Sequence, residues 1–336
     1  MSFTPSKQSV LFVVLNFNGW EETLTCIDAV LKQDYKDFHT LLIDNGSHDE
    51  SLKKLVKFEK NEKITYIKHP KNLGFAGGVN VGIRHAIEHG YGYVALLNND
   101  AIITKNWLSI LVKAIDENDS SVATGLLLSG DGKKIESTGD SYSRWGLPFP
   151  RQRDEDVSRA DESNFVFGGT AGASVYKTDL FKDIGLFDEK FFAYFEDTDI
   201  SFRAQLAGHI AYYEKSAVAY HDHGTTSSKM PGFTVYQTFK NLPTFFWKDV
   251  PYYMLFSTGI RFFACLGLMY IRAILRGQFI IASKGLLKHI TLLPHAFIER
   301  RSIQRKRRVS AEYLRTVIYP DLPPNNKRTA RRIFHR

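Results

Sequence analysis

Cysteine is almost missing from this chain. Cys26 and Cys265 are the only two among 336 residues, and they stand far apart. That excludes a disulfide scaffold and a cysteine-built zinc site, and it suits a reducing cytoplasm. A chain of this length buries a full core without such staples. Long uncharged apolar runs are missing too: the nearest candidate, Tyr252–Leu275, is interrupted by Arg261 and Arg272. The opening MSFTPSKQSV holds no apolar signal core, so no secretory signal is expected. Internal repeats and low-complexity tracts are absent from the sequence. Hydrophobic residues at 43% and charged residues at 24% are globular values, which excludes wholesale disorder.

The charge is unevenly placed. The formal net charge of +8 suggests nucleic acid or an anionic membrane as partner. Residues 272–336, however, hold 16 Lys/Arg against 3 acids, which leaves 28 Lys/Arg against 33 acids in residues 1–271. A mildly acidic body therefore carries a strongly basic tail.

Along the body, strands alternate with helices. Continuous apolar runs at Val10–Leu15, Phe38–Ile43, Ile64–Ile67, Tyr93–Leu97 and Val122–Leu128 read as buried parallel strands. Helical patterns follow Glu21-Glu22, run to Phe58, span Gly74–Glu88 and span Lys105–Asp116. This alternation implies right-handed βαβ units and a doubly wound α/β sheet. Ligands in such sheets sit beyond the carboxyl ends of the strands. Three polar clusters fall there: Asn16–Asn18, Asp44–Ser47 and Asn98–Asp100. Residues 130–163 are polar and read as a long surface loop or flap. Beyond them the pattern predicts helices near 178–184, from Glu196 to Leu206 and over 233–247.

Several residues suit chemistry at those strand ends. Asp100, just past a buried strand, is placed to bind a hard divalent cation, and is equally what a turn or helix cap looks like. Asp44 suits a ribose or base edge, and Asp-Asn-Gly-Ser is also an ordinary turn. The stretch from Asn72 to Asn80 puts Gly74, Gly77 and Gly78 ahead of a helix. They allow either a phosphate or sugar to approach the backbone or the helix to pack closely. The spacing is neither a Walker loop nor a dinucleotide fingerprint. Glu196, Asp197 and Asp199 open a helix, where acids are favoured anyway. Phe191, Phe192, Tyr194 and Phe195 precede them, and an apolar wall raises a carboxyl toward a usable general base. His221 is either a metal ligand or a solvated loop histidine.

Taken in order, these pieces resemble glycosyltransferase family 2, the inverting GT-A enzymes, and within it the bacterial rhamnosyltransferase-like branch of polysaccharide biosynthesis. The resemblance rests on VVLNFNGW (13–20), LLIDNGSHDES (41–51), NLGFAGGVNVGI (72–83), LLNNDAII (96–103), GLFDEKFFAYFEDTDISFRAQLAG (185–208), HDHGTTS (221–227) and FKN (239–241). It implies a GT-A fold over residues 1–250: a Rossmann-like, mostly parallel sheet with flanking helices. Asn16, Asp44 and Asn72 would line the nucleotide pocket of a nucleotide-diphosphate sugar, with Asn98, Gly74 and Gly77 beside it. Asp100 and His221 would hold Mg2+ or Mn2+. Asp197, with Glu196 beside it, would be the catalytic base, and Arg203 would pair with an acid to hold that helix. The motif at 98–100 has Asn98 where its first acid usually stands. The implied reaction transfers rhamnose from dTDP-rhamnose to a lipid-linked or polysaccharide acceptor. Galactofuranose, glucose, galactose and N-acetylhexosamine donors stay open, as does a membrane-associated binding protein without turnover.

The tail, residues 251–336, reads as an amphipathic, basic helical segment. At ~100° per residue, Arg261, Arg272 and Arg276 share one face. That is the pattern of a helix lying in a membrane interface with snorkelling arginines, and an ordinary core-packing helix is the other reading. A transmembrane span would put Arg261 near mid-bilayer at ~3 kcal/mol or more. The run Arg300, Arg301, Arg305, Lys306, Arg307 and Arg308 fits an anionic lipid surface. A cytoplasmic protein, peripheral on the inner face of the cell membrane, is expected, with no nucleic-acid partner.

Overall fold

The computed structural model describes residues 5–221 and 230–324. Strands β1 (Val10–Asn16), β2 (Phe38–Asp44), β3 (Ile64–Lys68) and β4 (Tyr93–Asn98) form where the apolar runs predict them. After β5 (Ala101–Ile103) and β6 (Val122–Ser129) come three short strands: β7 (Ile135–Ser137), β8 (Asp140–Tyr142) and β9 (Pro148–Pro150). Then follow β10 (Asn164–Val166), β11 (Ala173–Lys177) and β12 (Ala211–His221). The main sheet runs β10-β12-β6-β11-β4-β1-β2-β3, with β5 attached to β12 and β7 to β6. β1, β2, β3 and β4 pair in parallel, and so do β6 and β12. β11 lies antiparallel between β4 and β6, in the middle of the sheet. The sheet is therefore mixed, with its parallel half at the side of β1.

Helices α1 (Trp20–Leu31) and α4 (Trp107–Glu117) cover one face, where Phe12, Ile27, Leu97, Trp107 and Leu111 share a cluster. Helices α3 (Gly74–His89), α5 (Thr178–Ile184) and α6 (Glu196–Leu206) cover the other, around Val13, Ile83, Leu96, Phe181 and Ile200. A short α2 (Ser51–Leu55) leads to β3. The close contact of α3 with β1 depends on Gly82, because a Cβ there would stand 2.4 Å from Val13 Cγ2.

The polar segment 130–163 differs from the flap its composition suggests. β7 is hydrogen-bonded to β6, β8 pairs with β9, and Ile135, Tyr142 and Leu147 are buried. Some of its polar residues form internal pairs such as Arg151–Asp161, while Asp131, Lys133, Asp156 and Glu162 stay exposed.

Helices α7 (Phe233–Asp249), α8 (Tyr252–Leu275), α9 (Phe279–Lys306) and α10 (Ala311–Val317) close the chain. One face of α8 presents Met254, Phe262, Cys265 and Leu266 to a cluster with Tyr142, Phe202, Phe245, Phe246 and Leu314. Phe262 stacks on Phe246 at 4.3 Å between ring centroids. Removing such a ring costs ~3–5 kcal/mol. The opposite face of α8 exposes Phe256, Ile260, Leu268 and Leu275, and α9 continues it with Ile280, Leu287 and Ile290. Phe256 and Leu275 are 82% and 81% exposed. α8 is long and apolar enough to cross a bilayer by length and composition.

In the basic run at 300–308, Arg301, Arg305, Lys306, Arg307 and Arg308 are exposed, and Arg300 turns inward. Arg300 is buried, with its guanidinium over the Tyr252 ring at 4.0 Å and Nη1 donating to the Trp247 carbonyl at 2.7 Å. Arg307 lies over Tyr253, and Arg308 grips both oxygens of Asp183. The basic residues from Lys327 onward lie outside the described residues.

Candidate active site

The three strand-end clusters meet as the α/β arrangement requires. Asn45 N–H donates to the Asn16 carbonyl at 2.8 Å, joining the ends of β1 and β2. Below that link, Asn16 Nδ2 donates to Asp44 Oδ2 at 2.8 Å and Ser47 N–H donates to Asp44 Oδ1 at 2.9 Å. Asn16 and Asp44 are completely buried, and Asn45 rather than either of them faces the cavity. Asn45 Nδ2 donates to the Gly74 carbonyl at 3.0 Å, and Asn72 Oδ1 accepts from Gly74 N–H at 2.7 Å. Gly74 has φ +73, and a Cβ there would meet the Phe192 carbonyl at 2.4 Å. Gly74 and Asn72 line the cavity, whereas Gly77 is buried in the first turn of α3.

The cavity has a volume of about 570 Å³. Around it stand Asn98, Asp100, Glu136, Asp140, Arg153, Glu196, Asp197 and His221. Strand register brings two of them together: β5 runs antiparallel to β12 with Ala101 opposite His221, so Asp100 arrives beside the histidine. His221 Nε2 lies 3.0 Å from Asp100 Oδ1 and 3.3 Å from Asn98 Nδ2. On its other side, His221 Nδ1 lies 3.0 and 2.9 Å from the two oxygens of Glu136. Burial alone would lower the imidazole's pKa, but its hydrogen bonds to Asp100 and Glu136 outweigh that and raise it to about 10. Of the HDHGTTS segment, only His221 belongs to the described residues.

Glu196 and Asp197 open α6 and line the same cavity. Burial and the Asp197 charge push Glu196 up to about 8, and its Oε2 has no hydrogen-bond partner among the described residues. Burial also raises Asp197, against the lowering hydrogen bonds from Thr198. The loop before them is strained: Phe192, Tyr194 and Phe195 have φ of 66, 68 and 72. Such left-handed residues cost ~1–3 kcal/mol each and persist only where neighbours over-determine them. Asn241 Nδ2 donates to the carbonyls of Phe191, Ala193 and Tyr194 at 2.9, 2.9 and 2.7 Å. Lys240 Nζ adds a bond to the Phe191 carbonyl at 3.0 Å, and its burial lowers its pKa to about 8. Below, Arg203 binds Asp199 and donates to the carbonyls of Ile184 and Leu186, as its expected role in holding the helix requires.

Sequence reasoning missed Glu136, Asp140 and Arg153. All three lie in the segment taken for a flap, and no spacing ties them to a strand end. Asp140 is raised well above the usual carboxylate range, by burial and by Asp197. Arg153 Nη2 lies 3.4 Å from Glu136 Oε1. Asn241 was signalled by FKN, without its task.

Comparison with known proteins identifies the family and the fold. The model of glycosyl transferase family 2 matches residues 11–184. An uncharacterized glycosyltransferase of Rickettsia felis is 33% identical over 148 residues, 44% of this chain and 23% of that protein. The chain thus matches about a fifth of the length of its Rickettsia relatives. Among solved structures, S. aureus TarS 1-349 aligns over 89% of both chains, with a TM-score of 0.54 and 16% identity. The mannosyltransferase PcManGT from Pyrobaculum calidifontis, solved with GDP-Man and Mn2+, aligns over 90% of this chain and 89% of its own, with a TM-score of 0.52 and 13% identity. At such identities the likeness is one of fold. The family match takes in just over half of the chain, from β1 through the glycine-rich loop and Asp100 to α5, and the chain belongs to glycosyl transferase family 2, with a GT-A fold.

Proposed function

We propose that the chain is an inverting, metal-dependent glycosyltransferase. It takes a sugar from a nucleotide-diphosphate donor, with dTDP-rhamnose the preferred candidate, and passes it to a lipid-linked or polysaccharide acceptor. The observation that carries this reading is the convergence of Asp100 Oδ1 and His221 Nε2 at 3.0 Å on the cavity that also holds Asp197. An oxygen and an imidazole nitrogen suit Mn2+ or Mg2+. Among the described residues no three acidic, His or Cys groups form a ready metal cage. A two-residue site is what a cation shared with substrate phosphates needs. PcManGT, with its GDP-Man and Mn2+, is consistent with that chemistry.

The residues divide the work. Asn45, Asn72 and Gly74 form the nucleotide end of the cavity, with Asp44 and Asn16 holding that end from beneath. Asp100 and His221 would hold a divalent cation, which when bound would neutralise charge on the diphosphate leaving group. Asp197 accepts the proton of the acceptor hydroxyl. The hydroxyl oxygen then attacks the anomeric carbon from the face opposite the diphosphate, the carbon–phosphate oxygen bond breaks, and the configuration inverts. No protein nucleophile is needed. Glu196, kept protonated near neutral pH by its burial, limits the negative charge beside the base.

The acceptor reading draws on the exposed apolar face of α8 and α9, which carries Arg261, Arg272, Lys284 and Lys288 among its aliphatic and aromatic side chains. That composition suits an anionic membrane interface, where a lipid-linked acceptor would sit. Hydrolysis and transfer measured over a panel of nucleotide-diphosphate sugars, with and without Mn2+ or Mg2+, test the whole reading. Binding without turnover of any donor would reduce the chain to a nucleotide-sugar-binding protein.

A further inference from the structure

The bidentate approach of Glu136 to His221 is not explained by the reaction itself, because Glu136 faces the ring nitrogen turned away from Asp100. Its origin lies in the sheet. β7 pairs with β6 through Leu127–Ser137 and Leu128–Ile135, so two neighbours on β6 face residues two apart on β7. Glu136 is the extra residue of this β-bulge. Bulges re-aim one side chain without disturbing the flanking pairs. Here the re-aimed carboxylate is buried and sets both oxygens within 3.0 Å of Nδ1. Behind it, Arg153 Nε donates to the Glu136 carbonyl at 3.3 Å, with Nη2 at 3.4 Å from Oε1.

We infer that Glu136 is a positioning residue for the cation site: it accepts the Nδ1 proton of His221, fixes the ring's tautomer and orientation, and leaves the Nε2 lone pair directed at the metal beside Asp100. Metal-bound histidines use a carboxylate this way, and loss of such a partner weakens metal affinity ~10- to 100-fold. Arg153, bonded to the Glu136 carbonyl and close to Oε1, holds the residue from behind. The inference rests on the cation reading above.

The test uses the full chain and Mn2+ alone, with free Mn2+ followed by electron paramagnetic resonance. The unaltered protein is expected to bind Mn2+, and Asp100→Asn to bind it far more weakly. Glu136→Ala should lose ~10- to 100-fold in affinity, and Glu136→Gln, whose amide oxygen still accepts from Nδ1, should lose less. In the Mg2+-loaded unaltered protein, nitrogen-15 spectra should place the His221 proton on Nδ1, which a purely structural role would not require. Equal Mn2+ affinity of the unaltered protein and Glu136→Ala, or a proton on Nε2 in the Mg2+-loaded protein, overturns the inference. The second readout needs no variant, so a poorly folded Glu136→Ala leaves the inference open to refutation. Failure of the unaltered protein to bind Mn2+ removes the cation reading along with it. Uptake indifferent to Glu136 removes only the positioning role.

Discussion

The Asn241 side chain donates to the Tyr194 carbonyl at 2.7 Å, across 47 residues of chain, inside the left-handed loop that delivers Glu196 and Asp197. One amide thereby supports a backbone conformation that its own residues disfavour. Asn241→Ala removes the side-chain donor from the Ala193 and Tyr194 carbonyls, while Phe191 keeps Lys240, and should cost ~1–3 kcal/mol of stability. Asn241→Asp should cost more, because it sets a charged acceptor against three acceptors. Urea denaturation with an unchanged slope is the measurement; variants as stable as the parent would show that the loop holds itself.

Asp197→Asn keeps the shape of the side chain and removes its basicity. Transfer should fall ~100- to 10,000-fold while nucleotide binding is retained. Turnover at the parent rate in this variant would reassign the base, with Asp140 another candidate on the same cavity.

Glu196 gives a pH signature. Burial and Asp197 raise it from 4.5 to about 8. A carboxyl whose folded value lies above its unfolded value contributes stability that is present below the unfolded value and lost as pH rises through the folded one. The window thus runs from about pH 4.5 to about pH 8. Across it the unaltered protein should lose stability relative to Glu196→Gln, and the two should converge at the acid end. Urea midpoints at both ends decide; parallel midpoints would mean that Glu196 is already charged.

Chelation should stop transfer, and Mn2+ or Mg2+ should restore it. Asp100→Asn should raise the Mn2+ concentration for half-maximal activity by more than ~10-fold. Full activity in a metal-free, chelator-treated protein would leave Asp100 and His221 as a structural pair.

The membrane reading is best tested by surface substitution, because α8 and α9 supply Phe262, Ala282 and Ile303 to a buried cluster and deleting them would strip it. Phe256→Ser, Leu268→Ser and Leu275→Ser together should abolish flotation with phosphatidylglycerol-rich vesicles while leaving the folded state intact. Flotation unchanged by the triple substitution would exclude this face as the contact.

Much of this was legible in the residues. β1, β2, β4 and β6 announce themselves because strands buried on both faces must be apolar throughout, and their ends mark the site. β11 was not legible as a central antiparallel strand: Ala173–Lys177 is short, and only its partners on β4 and β6 give it direction. Glu136 was hidden for a related reason. It sits in a polar stretch and acquires meaning only through pairing with β6. Asp44 and Asn16 were found by position, yet the sequence does not say that they would bond to one another beneath the cavity surface.

The bulge in β7 makes the length of a hairpin part of the chemistry. Side chains alternate along a strand, so removing one residue between Ser129 and Ile135 would invite the ladder to re-form one step over and turn Glu136 to the far side of the sheet. His221 would then face the cavity with the same neighbours on β5 and β12 and without its carboxylate. The spacing of β6 and β7 acts as a reading frame for the site: every residue could be kept, and a single deletion in an outlying turn would still garble it.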